Sequence, residues 1–259
     1  HTRAGIVDEA LFKALLVHIN TLDDINDSDK LLIQTICILS YRCGLRMAEL
    51  YKLKIGNIES STTGWIDIRA NNLGDNKTAS SLRKIPLFPL LTEEENELVS
   101  RYLDNKKRDN VTKSAPLLTM GIDLHTPFNM FNVSNYVGKA LRALSREQHY
   151  VFYHLRHSSI SRLQLMLEHG APKSLLPGFF PYSDEQSEKI KKLLFKSTYS
   201  YGYWEIAAFS GHETPSMTFK HYLHLSDLLS APNSSEKKTV ISLSEAQASG
   251  LCSRREFQR

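Results

Sequence analysis

One stretch of this chain alternates. Trp65-Ile66-Asp67-Ile68-Arg69 sets apolar against polar residues in turn, and Leu82-Arg83-Lys84-Ile85-Pro86-Leu87 does so again. Between them Asn71-Asn72-Leu73-Gly74-Asp75-Asn76 is dense in turn formers. The pattern predicts one antiparallel hairpin, and Pro86 puts its second strand near an edge or ends it there. The rest of the chain reads mostly at helical spacing. A single hairpin in an otherwise helical chain gives the fold class: mainly α with a small antiparallel β-sheet (α+β).

The helices are marked by their periodicity and caps. Residues 7–20 have apolar positions at helical spacing with acids in the first turn. Residues 29–43 read as a buried helix, with Ser28 as N-cap and Gly44 as the stop, and a short helix from Arg46 to Leu53 follows. Thr92 with Glu95 is a capping box opening a helix to about Asn105. Residues 133–146 form another helix, with Lys139, Arg142 and Arg146 along one face as candidate contacts to a polyanion. Arg156 to Glu168 form the next, closed by Gly170 and Pro172. Residues 171–183, rich in proline, glycine and aromatics, read as an exposed excursion. Ser183 with Gln186 caps a basic helix carrying Lys189, Lys191, Lys192 and Lys196. Thr214-Pro215 is an N-cap and first-position pair for a helix containing Met217 to Tyr222. Residues 231–238 read as a linker, and no repeat is visible.

Composition excludes several classes. With 41% apolar and 23% charged residues over 259 positions, the chain is neither disordered throughout nor collagenous, and one or two domains are expected. The longest mostly apolar stretch, Leu31 to Tyr41, is too short to span a bilayer. No basic-then-apolar leader opens the chain, which starts at His1 as a fragment or a processed product does. Cys37, Cys43 and Cys252 are odd in number and form no CxxC, which points to a reducing, cytoplasmic setting. The net charge of +4 is unevenly spread. Residues 1–29 set two basic residues against six acidic ones, and residues 139–163 set five basic against one acidic. Such gathering suits a polyanionic partner and equally suits a solvated helix face.

Four motifs fit one reaction when taken in order. They are Gly44-Leu45-Arg46-Met47-Ala48-Glu49-Leu50; Lys77 with Arg83-Lys84-Ile85-Pro86-Leu87; Tyr153-His154-Leu155-Arg156-His157; and Gly211-His212 followed by Thr218 and Tyr222. Together they resemble the catalytic domain of the tyrosine recombinase, or phage integrase, family over residues 5 to about 228. The residue types suit phosphodiester displacement. The five-coordinate state gathers charge on its non-bridging oxygens, which rigid bidentate guanidinium groups stabilise well. A tyrosine oxygen can attack if neighbouring cations favour its phenolate. The departing sugar oxygen needs a proton donor.

The resemblance implies a role for each residue. Arg46 and Arg156 would clamp the scissile phosphate, with Glu49 supporting Arg46 and His157 packing behind Arg156. Lys77 would be the general acid, with Lys84 as a rival and Arg83 as a weaker one. His212 would bind the phosphate or orient the nucleophile. Tyr222 would form a 3′-phosphotyrosyl link, which conserves bond energy, so no cofactor is expected. His154-x-x-His157 and His221-x-x-His224 have metal-like spacing without convincing further ligands, so no metal is expected either. The partner would be double-stranded DNA, bound by a homotetramer on paired sites with accessory DNA-bending or directionality factors. A nucleoid-associated bacterial cytoplasmic protein would result.

Two features depart from the family pattern. Tyr153 stands where a histidine is usual; it can donate a hydrogen bond but is a poor base, and His154 is one step out of register. Arg156 to Gly211 spans 55 positions, roughly twice the usual interval, so residues 172–202 read as an insertion. It would contact DNA or another subunit, or pack on itself as a surface loop. The domain reading is a catalytic domain over residues 1–230, with no core-binding domain before it, and a tail over 231–259. The tail resembles the start of a helix-turn-helix, or is a helix that docks on this or a neighbouring subunit. Two alternatives stand beside the recombinase: a type IB topoisomerase-like relaxing enzyme, and a DNA-binding regulator that has lost catalysis.

Overall fold

The computed structural model describes residues 5–59, 61–74, 82–109, 111–169, 178–195 and 202–222, with backbone alone at 168–169 and 219–222. Lys77, Gly170, Pro172, Lys196, His224 and the tail from 231 lie outside the described residues. The helices are α1 (Glu9–Asn20), α2 (Asp27–Cys43), α3 (Met47–Lys52), α4 (Glu93–Arg108), α5 (Met130–Ser145), α6 (Tyr153–His169), α7 (Asp184–Leu194), α8 (Gly202–Ser210) and α9 (Pro215–Tyr222). The strands β1 (Trp65–Ile68) and β2 (Arg83–Pro86) pair antiparallel, with Trp65 opposite Pro86 and Ile68 opposite Arg83. The expected fold class holds: mostly helical with one two-stranded sheet. No helix among the described residues is long and apolar enough to cross a membrane.

The buried helix α2 is the spine, packed by α1, α4 and α6. Its N-cap is Asn26 rather than Ser28: the Asn26 side chain accepts from the Asp29 backbone N–H at 2.9 Å. The first turn of α2 is polar, and acids there suit the positive helix end, so apolar periodicity starts too late to mark it. Gly44 ends α2 with φ of 64°. A Cβ there would stand 3.0 Å from the Phe209 ring and 3.2 Å from the Ser159 hydroxyl.

Two other expectations need correction, and one helix lies where none was expected. First, α6 starts at Tyr153, three residues before Arg156, so the whole Tyr-His-Leu-Arg motif lies on its first turn. His154 sets that start, because its Nδ1 accepts from the Val151 N–H at 3.0 Å. Second, α8 carries no clear amphipathic signal. It forms under packing: a Cβ on Gly202 would meet Leu167 Cδ1 at 2.2 Å. Third, the described part of the 171–183 segment, residues 178–183, is not an exposed excursion, and the helix after it packs as well. Phe179, Tyr182 and Ile190 are buried. The Tyr182 hydroxyl donates to Leu90 O at 2.8 Å, and Gln186 Nε2 donates to Pro89 O and Leu91 O. On α7, capped by Ser183 as expected, Lys189 and Lys191 pair with Glu185 and Glu188.

The uneven linear charge also has a different meaning in three dimensions. Arg162 of α6, fully buried, donates to Glu9 Oε1 at 3.0 Å, to Phe179 O and to Tyr41 O. Arg42 of α2 reaches Glu9 twice at 2.6 Å and Glu95 at 2.7 to 3.0 Å. Both guanidinium groups lie over the Tyr41 ring. One N-terminal acid, Glu9, and one central base, Arg162, are thus paired inside the protein. Of the basic residues in 139–163, Arg156 and Arg162 are buried, and Arg142 donates to Tyr150 O at 2.7 Å. Lys139 and Arg146 are exposed, with Arg146 capping α5 at φ of 59°.

Candidate functional site

Two glycine turns build the site. The first follows α2, where Gly44 turns the chain so that Arg46 becomes the N-cap of α3. The Glu49 carboxylate accepts from the Arg46 backbone N–H at 2.8 Å and from Arg46 Nη1 at 2.8 Å. This is the capping-box relation, with the acid in the first turn of a short helix. The G-L-R-x-x-E-L spacing thereby fixes its own arginine.

The second turn follows α8. Gly211 has φ of 63°, and its N–H donates to Ala208 O while the His212 N–H donates to Ala207 O. That is a Schellman turn, which satisfies two of the last helical carbonyls. The next three carbonyls each accept from a different arginine. Arg83 Nε donates to Phe209 O at 2.7 Å, Arg156 Nη2 to Ser210 O, and Arg46 Nη2 to Gly211 O at 3.4 Å. Cations at the negative end of a helix are favoured by the helix dipole as well as by these bonds. Arg156 Nη1 also donates to Gly44 O, joining the two glycine turns.

All three guanidinium groups surround one carboxylate. Arg83 forks onto both Glu49 oxygens at 2.8 and 2.9 Å, and Arg156 Nη1 stands 3.9 Å from Glu49 Oε2. Burial by itself would raise the Glu49 carboxyl, but Arg83, Arg156 and Arg46 outweigh it and hold its pKa at about 2. Burial and the neighbouring Arg46 push Arg156 down to about 9, which leaves it charged at neutral pH. The Arg46 side chain is the most open of the three at 29% exposed, against 6% for Arg83 and 0% for Arg156. His212 is buried beside them, its Nδ1 2.9 Å from Thr218 Oγ1 in α9. Position 222 lies one turn beyond Thr218 on α9.

The expected residues thus fall into three groups. Arg46, Glu49, Arg156 and His212 come together. Tyr153 stands on the Arg156 face of α6 one turn earlier, 41% exposed, with its ring edge-on to His157 at 4.7 Å. His157 also meets His154 edge-on at 5.5 Å, so it packs within an aromatic cluster on the first turns of α6. Lys77 and the Tyr222 side chain are outside the described residues. Lys84, the rival of Lys77, is exposed and faces Glu59 at 3.7 Å. Successive strand residues point to opposite faces, so Arg83 turned toward Glu49 leaves Lys84 turned away.

Arg83 is the site residue that the motifs underweighted. The signal was present: Arg83, Ile85 and Leu87 share one face of the strand, and Ile85 and Leu87 are buried. An arginine on the core side of a hairpin needs an internal acid, and Glu49 is that acid.

A family model for the phage integrase family matches residues 7–187. The chain belongs to the phage integrase family. The matched region contains the Arg46, Arg83 and Arg156 segments and ends before Gly211. No curated protein sequence matches the chain. Among solved structures, the integrase-family fold here is similar to XerA recombinase, with a TM-score of 0.55 and 16% identity over 90% of this chain. It is also similar to the Tn1549 transposon integrase in complex with transposon right end DNA, with a TM-score of 0.56 and 15% identity over 92% of this chain. The chain spans 65% of the length of the XerA recombinase chain and 67% of that of the integrase. At these identities the likeness is one of fold.

Proposed function

We propose that this chain is a site-specific DNA recombinase or integrase that cuts and rejoins DNA strands through a covalent 3′-phosphotyrosine at Tyr222. The observation that carries this reading is the convergence of Arg46 and Arg156, from motifs far apart in sequence, on one carboxylate and one turn. Among the described residues, three guanidinium groups there share a single carboxylate. An arrangement of that charge favours a phosphodiester, and favours its more highly charged five-coordinate state still more. Arg46 and Arg156 stabilise the non-bridging oxygens, His212 donates to the same group, and Tyr153 donates from the first turn of α6. Lys77, on the hairpin that β2 closes, protonates the departing 5′ oxygen. Double-stranded DNA as substrate follows from family membership and from this charge. A homotetramer on paired sites, and accessory factors, rest on the family resemblance.

The test is a nicked duplex cut from the DNA flanking the gene, in which the short strand diffuses away after cleavage. The wild-type chain yields a DNA adduct that survives SDS and disappears with protease, and Tyr222→Phe yields none. An adduct from Tyr222→Phe would make another residue the nucleophile. No adduct from the wild type would favour a binding protein without catalysis.

A further inference from the structure

The β2 arginine is given no step of its own in the reading above, yet it ties three parts of the site together. Its guanidinium group binds both Glu49 oxygens and the Phe209 carbonyl, at 2.7 to 2.9 Å. Three segments distant in sequence therefore meet on one rigid fork: the acid that caps Arg46, the root of the hairpin, and the end of α8. Glu49 Oε1 is shared, accepting from Arg83 Nη1 and Arg46 Nη1, both at 2.8 Å. The rotamer of the Glu49 carboxylate, and with it the placement of Arg46, is thus fixed from the Arg83 side. The fit is close. A Cβ on Gly211 would stand 2.7 Å from Arg83 Nη1 and 3.2 Å from Arg46 Nη1. The turn before His212 therefore carries no side chain where the two arginines pass.

We infer that Arg83 is a positioning residue for the proposed strand transfer, acting through Glu49 and the 209–211 carbonyls to hold Arg46 and His212 in register with Arg156. It does not protonate the leaving group and does not itself meet the DNA. This role rests on the recombinase reading. A planar fork that grips two carboxylate oxygens has no substitute in lysine, which offers a point charge on a flexible stem.

The inference makes three linked expectations for adduct formation on the nicked duplex by the full chain. Arg83→Gln slows it roughly 10- to 100-fold, the range of coupling between contacting groups. In a Glu49→Gln background the same change costs little further, because the path through Glu49 is already cut. In Arg83→Gln the acid limb of the pH profile moves to higher pH, because Glu49 has lost its first counter-cation and takes up a proton sooner. A merely structural arginine would lower the melting temperature without moving that limb. Replacing the bridging 5′ oxygen by sulfur removes the need for an acid, and it does not rescue Arg83→Gln. Rescue by sulfur would make Arg83 part of proton delivery and overturn the inference, as would additive losses with Glu49→Gln. If Arg83→Gln does not fold, Arg83→Lys is read instead; it loses about 10-fold through the missing fork, and a wild-type rate for it overturns the role. If the wild type itself gives no Tyr222-dependent adduct, the recombinase reading fails and this role falls with it. If the wild type reacts and Arg83→Gln reacts equally fast, the role alone fails.

Discussion

At the scale of single residues, charge and hydrogen bonding decide what each group can do. Glu49 illustrates the sign. Its folded pKa of about 2 lies below the ordinary carboxyl value of 4.5, so its contribution to stability is complete above that ordinary value and drains away as pH falls toward 2. The contribution is on the order of 3 kcal/mol, since one pKa unit is about 1.4 kcal/mol. Urea unfolding between pH 6 and 2.5 is therefore expected to show wild type and Glu49→Gln approaching one another as pH falls. Parallel curves would mean that the three arginines do not act through the charge of Glu49. Tyr153 makes the second case. His154, its neighbour, is committed to the start of α6 through Val151, so it is not free to replace the histidine usual at position 153. If Tyr153 serves by donating one hydrogen bond to phosphate, Tyr153→Phe loses about 1–3 kcal/mol of transition-state stabilisation, and Tyr153→His keeps or raises the rate. Equal single-turnover rates for wild type and Tyr153→Phe would take the residue out of the site.

At the scale of elements, two helix ends and one hairpin assemble the clamp. The C-terminus of α8 offers three carbonyls in a row because its Schellman turn has already satisfied the two before them. Three arginines take those carbonyls, so the capping of one short helix and the placing of the clamp are one event. The hairpin contributes by its faces. Arg83 and Ile85 look inward, and Lys84 looks outward toward Glu59, away from the three arginines, which weighs against Lys84 as the proposed acid and leaves Lys77 as the residue to test. Lys77→Ala is expected to cleave ordinary DNA slower by roughly 10²–10⁴, the range of proton-transfer catalysis. It is expected to cleave a 5′-bridging phosphorothiolate nearly as fast as wild type, because a thiolate leaves without a proton. Lys84→Ala cleaves both at the wild-type rate. Rescue of a slow Lys84→Ala instead would reverse the assignment.

At the scale of the whole molecule, the buried ion cluster fixes how the motif-bearing helices meet. Arg42 on α2 is two residues before Gly44, and Arg162 is on α6 with Arg156. Glu9 on α1 and Glu95 on α4 bind them. Removing one member of a buried, paired set leaves a bare charge, which costs about 3–5 kcal/mol. Arg42→Ala strands Glu95 and leaves Glu9 with Arg162 alone, and is expected to lose that much in chemical denaturation. Arg162→Ala loses less, because Glu9 keeps Arg42. Equal losses would mean that the cluster does not hold Glu9 chiefly through Arg42.

The local parts of this protein are legible along the chain. Thr92 with Glu95, Ser183 and Gly44 act on residues within a turn of themselves, so those helix ends and the hairpin were legible without a partner in view. The motif spacing was legible for the same reason: Arg46 and Glu49 bond across one turn of one helix. The tertiary structure alone decided what depends on distant neighbours. It made a helix of residues 202–210, whose stability comes from packing on α6 rather than from its own pattern. It folded residues 178–195 onto the body, where their aromatics meet Arg162 and the chain around Leu90. It moved the apparent basic face inward by giving Arg162 the carboxylate of Glu9, 153 residues away. And it joined Arg83 to Glu49 and Phe209. No periodicity along the chain encodes which acid a buried arginine will find, because that pairing is set by which surfaces the helices bury against each other.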